Sequence, residues 1–299
     1  MVDHEAQEHD LGLAHDLKAM AALATRRRAL RWFAGAGTAA MVTGCDSGST
    51  SGTVATPTPT PTATATPTPS PTSTPTPTPS GTCVADPTET NGPYPADGTN
   101  TSSGPTSNVL TSSGVVRSDI RSSFVGSTTT VTGVQMTITL TLVNVNSSCA
   151  PLAGYAIYIW HCNATGQYSL YDVPAESWLR GLGVTDANGQ VTFTTIFPGC
   201  YAGRWPHIHF EVFSSLANAT GGRFARLIGQ LAMPSAVCST VYNGSSTYSS
   251  SVCNLSGVSI ASDNVFGDNS AAQIAQQTPA MSGSVSAGYA ATATIGLAI

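Results

Sequence analysis

Two histidines stand one residue apart in Arg204-Trp205-Pro206-His207-Ile208-His209-Phe210. On an extended strand alternate side chains face the same way, so His207 and His209 would present two imidazoles to one side. That is half of a metal site. Two tyrosines lie upstream: Tyr168 in Gly166-Gln167-Tyr168-Ser169, and Tyr201 directly after Pro198-Gly199-Cys200. Zinc favours Cys and His, whereas two phenolates with two imidazoles suit a hard, oxidised iron. The expected chemistry is therefore Fe(III) chemistry at Tyr168, Tyr201, His207 and His209. Taken singly, each of these residues has a plainer explanation. A strand His-x-His can be surface polarity, and either tyrosine can be a core aromatic whose hydroxyl has found a partner.

The elements that must carry these side chains read as strands. Val134-Gln135-Met136-Thr137-Ile138-Thr139-Leu140-Thr141-Leu142 alternates as a half-buried strand does. Tyr155 to Trp160 is a continuous apolar strand, and His207 to Phe213 is another. Asn188-Gly189 between strand-like arms is the strongest short hairpin signal in the chain. Phe224 to Met233 and Ala290 to Leu297 add further strands. No stretch after Cys83 has convincing helical periodicity, although Ala271 to Gln277 has room for a turn or two. The expected fold is all-β: an antiparallel β-sandwich with Gly/Pro-rich loops and little helix.

That fold occupies residues 83–299, a length sufficient for one domain with a real core. Residues 1–45 read as an export signal. Arg26-Arg27-Arg28 is followed by a weakly apolar stretch and then by Val42-Thr43-Gly44-Cys45. This stretch falls short of the roughly 20 apolar residues that a membrane span needs. Its end resembles a bacterial lipoprotein signal, in which the cysteine is lipidated. The expectation is twin-arginine export, with the protein held on the extracytoplasmic side of a membrane through Cys45 or secreted. The competing explanation is a basic amphipathic N-terminus with a chance cysteine. Residues 46–82 collapse to Thr, Pro, Ser, Ala and Gly, a semi-rigid polyproline spacer.

Charged residues are 9% of the chain and the net charge is −5. No basic cluster occurs outside the signal, which argues against a nucleic-acid partner. Seven cysteines less Cys45 leave six, an even count that favours disulfides in an exported domain. Six cysteines allow 15 pairings. Cys238 and Cys253 flank a Ser/Gly/Asn/Tyr-rich loop and are the expected pair, with Cys162–Cys200 as a weaker choice. No Cys-x-x-Cys pair supports a zinc cluster.

In order along the chain, these segments resemble the intradiol ring-cleavage dioxygenases, the family of catechol 1,2- and protocatechuate 3,4-dioxygenases. The resemblance is strongest to exported, single-domain bacterial members. It rests on Asn91-Gly92-Pro93-Tyr94, Ile159-Trp160-His161-Cys162 through Tyr168-Ser169, Pro198-Gly199-Cys200-Tyr201, Arg204-Trp205-Pro206-His207-Ile208-His209-Phe210, Ile228-Gly229-Gln230-Leu231 and Gly288-Tyr289-Ala290. Each motif alone is weak, but the ordered set is specific. The resemblance implies Fe(III) held by Tyr168, Tyr201, His207 and His209, with Tyr201 the ligand that leaves when a catechol binds. It implies that Arg204 stabilises negative charge and that Gln230 and Tyr94 lie by the substrate. It also implies O₂-dependent cleavage between the two hydroxyl-bearing carbons, giving a muconate-type dicarboxylate.

The chain departs from the family pattern at Asn91 and Pro95, where the family has Glu and often Tyr. Its short Tyr201–His207 segment implies an open pocket with broad catechol tolerance. His161 matches no ligand and is expected to be structural. No counterpart of the helical dimerisation region of catechol 1,2-dioxygenases is expected here, so oligomeric state does not carry over. Two alternatives remain open at this stage. One is an exported β-sandwich that binds carbohydrate or cell wall without turnover. The other is a sandwich that keeps iron but has lost activity.

Overall fold

The computed structural model describes residues 83–102 and 106–299. The expected export signal, Cys45 and the Thr/Pro linker lie outside the described residues. The alternating segment forms β3 (Gln135–Asn144), with Met136, Ile138, Leu140 and Leu142 fully buried and the intervening threonines part-exposed. It is the centre of one sheet. β7 (Gln190–Ile196) pairs antiparallel along one edge, and β4 (Ala150–Pro151) adds two residues at the β3 end. β11 (Gly288–Leu297) runs parallel along the other edge, with β10 (Ala280–Ser284) antiparallel beyond it. The second sheet is antiparallel throughout, in the order β6 (Arg180–Val184), β5 (Ala156–Trp160), β8 (His207–Phe213), β9 (Leu227–Ala232). A short pair, β1 (Asp97–Thr101) with β2 (Thr106–Asn108), stands apart from both.

Between the sheets, Ile157, Ile159, Ile208, Phe210 and Val212 meet Met136, Ile138, Leu140, Phe193 and Ile295. Burying each of these side chains contributes roughly 1.5–3 kcal/mol. The opposite face of the second sheet is covered as well. Ala156, Tyr158, Trp160 and Phe213 pack against Ala96, Val109, Leu110, Val115 and Tyr168. All seven residues of β8 are therefore buried, and so are all five of β5. This double coverage explains why β5 reads as a continuous apolar run rather than an alternating one.

The all-β sandwich is as expected, with four corrections. The β3–β11 pair is parallel, because the chain returns to the first sheet through a long connection after β9. The Asn188-Gly189 turn does not close a hairpin: β6 pairs with β5 and β7 with β3, so the turn carries the chain from one sheet to the other. A Cβ on Gly183 would lie 2.5 Å from the Val191 side chain, so the two arms are packed layers rather than ladder partners. Helices α1 (Ser235–Gly244) and α2 (Ser249–Leu255) occupy a stretch without helical signal, while α3 (Ala271–Gln277) falls where a turn or two was expected. α3 opens on a capping box of Ser270 and Gln273.

The fourth correction concerns the cysteines. The disulfide joins Cys83 to Cys149, with Cα atoms 5.8 Å apart. Cys238 and Cys253 are not paired. Cys238 lies on the face of α1 that packs into the core with Val241 and Tyr242, whereas Cys253 is exposed on α2. Cys162 and Cys200 are also free and buried, their thiols turned to the carbonyls of Gly199 and Arg204 respectively.

From Cys83 the chain runs as a strap across both sheets. Asp86 exchanges hydrogen bonds with the backbone of Gly296, Gln276 binds Val84 and Asp86, and the Glu89 amide donates to Ile228. Burial pushes the Asp86 carboxyl from 3.8 up to about 6, against the hydrogen bonds from Gly296 and Gln276.

Two outcomes are expected. Non-reducing peptide mapping yields a Cys83–Cys149 cross-link, and Cys83→Ser lowers unfolding free energy by up to about 4 kcal/mol through the loop it opens. Because the folded-state pKa of Asp86 is raised, its carboxyl favours the folded state in acid and loses that contribution as pH rises through about 6. A shift of about two units corresponds to about 3 kcal/mol. Asp86→Asn therefore stabilises the protein relative to wild type at pH 7.5 more than at pH 4.5, as measured by denaturant melts.

Candidate metal centre

Strand β8 sets His207 and His209 on its outer face, both 2% exposed under the strap. The His209 ring lies flat on Trp160, its register partner on β5, with centroids 4.7 Å apart and planes 6° from parallel. On its other side Gly92 approaches so closely that a Cβ there would meet His209 Cε1 at 3.2 Å, and Gly92 adopts φ +69°. Glycine is required here on both counts. The His207 ring is held by its own strand entry: Nδ1 lies 2.5 Å from the Trp205 carbonyl oxygen. A carbonyl only accepts, so Nδ1 carries the proton and Nε2 keeps its lone pair.

The tyrosines come from two loops that are tied together. Asn163 stabilises the turn before Tyr168, accepting from the amides of Thr165 and Gln167. The Ser251 hydroxyl on α2 donates to the Ala164 carbonyl in that loop and accepts from the Cys200 amide in the other. Asn254 then donates to the Cys200 carbonyl. Tyr168 Oη ends 3.3 Å from Nε2 of both histidines. Tyr201 Oη ends 3.2 Å from His207 Nε2, and the two imidazole Nε2 atoms are 3.0 Å apart.

These contacts fit a metal. Bonds of about 2.0–2.1 Å to N and O put neighbouring donors roughly 3.0–3.4 Å apart at angles near 95–110°. Burial, with Arg204 adding to it, holds His207 down to about 3, and His209 lies well below its ordinary value. Both imidazoles are thus neutral, the form in which they could serve as ligands. Burial pushes Tyr168 and Tyr201 upward, partly offset by the Arg204 charge, so a strongly charged cation is needed to ionise them. Among the described residues no cluster of three or more His, Cys, Asp or Glu could hold a metal. The phenols are what completes this quartet.

One wall of the site is polar. Arg204 Nη2 donates to Gln230 Oε1 at 2.6 Å, and Gln230 Nε2 donates to the Thr90 carbonyl at 3.1 Å. Arg204 Nε donates to Asp263 Oδ2 at 3.0 Å, an ion pair buried on both sides. The Tyr94 ring lies tilted against Tyr168 with centroids 4.7 Å apart and meets Tyr171 edge-on at 5.2 Å. Tyr94, Tyr168, Tyr201, Arg204, His207, His209 and Gln230, expected from sequence to share one site, are therefore brought together; Cys238 and Cys253 are not paired, and Cys45 lies outside the described residues. Asn91 is not turned to the pocket; its carboxamide donates to Asp97 and Thr99 and anchors the strap. His161 is structural as expected, bonded to the Cys162 carbonyl and the Thr195 hydroxyl. Sequence inspection missed Asp263 and the stacking role of Trp160.

Known proteins give a concordant picture. A family model described as Dioxygenase matches residues 117–235. The protocatechuate 3,4-dioxygenase beta chain of Burkholderia cepacia is 32% identical over 97 residues, covering 28% of this chain. The match spans 39% of that relative's length. The solved intradiol ring-cleavage dioxygenase of Tetranychus urticae superposes with a TM-score of 0.50 at 26% identity, over 62% of this chain and 87% of its own. The motif order, the sandwich and these matches agree in one respect: the chain is similar, in sequence and in fold, to intradiol ring-cleavage dioxygenases.

Proposed function

We propose that the domain is a non-haem Fe(III) dioxygenase that opens catechol-type rings between the two hydroxyl-bearing carbons with O₂, giving muconate-type dicarboxylates. The observation that carries this is the convergence of Tyr168 Oη, Tyr201 Oη, His207 Nε2 and His209 Nε2 at 3.0–3.3 Å in a buried site. Ferric iron held by these four atoms would supply a Lewis-acidic centre for the two catechol oxygens.

The residues of this chain supply the rest. A catechol binds as a chelate only after losing protons, and the Tyr201 phenolate is a base that can take one at Oη. Tyr201 is the better placed of the two tyrosines for release. Its Oη contacts one imidazole, whereas Tyr168 Oη contacts both and lies under Tyr94. The neutral imidazoles stay fixed, His207 by the Trp205 carbonyl and His209 by Trp160. Arg204 and Gln230 present fixed dipoles and charge in a dry wall, where they stabilise negative charge developing on the ring without reorganising. Tyr94 offers an aromatic edge to the substrate. Stacking around Tyr168, His209 and Trp160 excludes water from the ligand side.

We further propose that twin-arginine export delivers the protein and that Cys45 carries a lipid anchor. Fractionation of cells expressing wild type and Cys45→Ser tests this; equal solubility of the two would end it.

Protein purified from iron-supplied cells is expected to be red to purple from tyrosinate-to-iron charge transfer, with one iron per chain. Tyr168→Phe and Tyr201→Phe each change the band, and His209→Ala loses the metal. Stoichiometric zinc in a colourless protein would overturn the ligand assignment. Arg204→Ala is expected to retain iron but lower turnover by roughly 10²-fold or more, the scale for removing one charge-stabilising donor. Product analysis with catechol decides the cleavage position: a yellow hydroxymuconic semialdehyde, or a requirement for Fe(II), is incompatible with the proposal.

A further inference from the structure

We infer that Asp263 is the positioning residue for Arg204, fixing which edge of the guanidinium is left for the substrate. This rests on the dioxygenase reading of the site. Arg204 has five N–H donors in a rigid plane. Three are committed: Nε to Asp263 Oδ2 at 3.0 Å, and Nη2 to Asp263 Oδ1 at 3.4 Å and Gln230 Oε1 at 2.6 Å. Nη1 makes no hydrogen bond to a described residue and is the nitrogen left for a ligand.

Asp263 can impose this orientation because it is itself immobilised. Its carboxylate is fully buried and accepts from the amides of Trp205 at 2.6 Å, Val265 at 2.9 Å and Phe266 at 3.2 Å. Burial opposes its ionisation, but the Arg204 charge and these hydrogen bonds win, and its pKa falls below the ordinary value. The bond to the Trp205 amide gives Asp263 a second hold on the site. The carbonyl of the same residue accepts from His207 Nδ1. One carboxylate thus references both the charged donor and the peptide that orients a metal ligand. It arrives from the loop between α2 and α3, beyond the residues matched by the family model. A misplacement on the order of 1 Å can cost about 10²-fold in rate, so the hold is large enough to be measured.

The test is a double-mutant cycle on the iron-loaded enzyme with catechol, together with NMR of the metal-free protein. Asp263→Asn is nearly isosteric and keeps an acceptor for the backbone amides. Alone it is expected to retain iron and colour and to lower kcat roughly tenfold or more, a smaller loss than full removal of the donor. In an Arg204→Ala background the same change is expected to alter kcat less than about twofold, because its route of action is gone. Asp263→Glu restores part of the loss. Equal losses in both backgrounds, or an unchanged kcat, would show that Asp263 acts only on stability or not at all. In the metal-free protein the Arg204 Nε–H should give a protected resonance that Asp263→Asn abolishes; rapid exchange in wild type would overturn the proposal independently of turnover. Absent colour and oxygen uptake in wild type would instead count against the dioxygenase reading, leaving the NMR result to decide the Arg204–Asp263 contact.

Discussion

Two imidazole nitrogens held 3.0 Å apart, with two phenol oxygens within 3.3 Å of them, form an arrangement that isolated side chains would not adopt. A phenol O–H can donate to one imidazole lone pair, but a shared cation would satisfy all four donor atoms at once. The protein must therefore fix each ring by contacts that do not involve the metal. Strand β8 does this for both histidines because it is buried on both faces. Its inner side chains are locked into the sandwich, and its outer ones are covered by the strap and by Trp160. The strap, the tyrosine loops and helix α2 all follow from the need to cover that outer face.

The strap shows how thin the cover is. Residues 83–95 contribute no long strand, yet hydrogen bonds made at Val84, Asp86, Glu89, Thr90 and Asn91 fasten them at short intervals. Gly92 is the point of closest approach to His209, where even one methyl group would press on the imidazole. The geometry of the proposed metal centre and the placement of a loop without secondary structure are thereby the same problem.

Much of this was legible in the sequence. The period-two alternation of β3 and the unbroken apolar run of β5 carry their own burial pattern, and the His-x-His of β8 fixes both side chains on one face. The four proposed ligands could be named from the sequence because local strand and turn chemistry sets where their side chains go. What escaped inspection depends on tertiary contact. α1 is built from Ser, Val, Thr and Cys, poor helix formers that become helical by packing Cys238, Val241 and Tyr242 inward. Cys83 and Cys149 are 66 residues apart, and nothing local links them. Asp263 meets Arg204 across 59 residues from a Ser/Asn-rich loop, where an acidic residue looks like ordinary surface. Asn188-Gly189 announced a turn correctly, but a turn signal does not say which sheet the next strand joins.

The position of the disulfide has a mechanical consequence. Cys83 is the first described residue, and its partner Cys149 stands where β3 gives way to β4. Tension applied to the chain from its N-terminal side reaches residue 83 and divides there. The covalent cross-link passes the load into β3, the strand with the most extensive pairing in the first sheet. The adjoining residues, which lie against His209, are spared. The fold thus places a strain relief between whatever pulls on the domain and the part of it least able to deform.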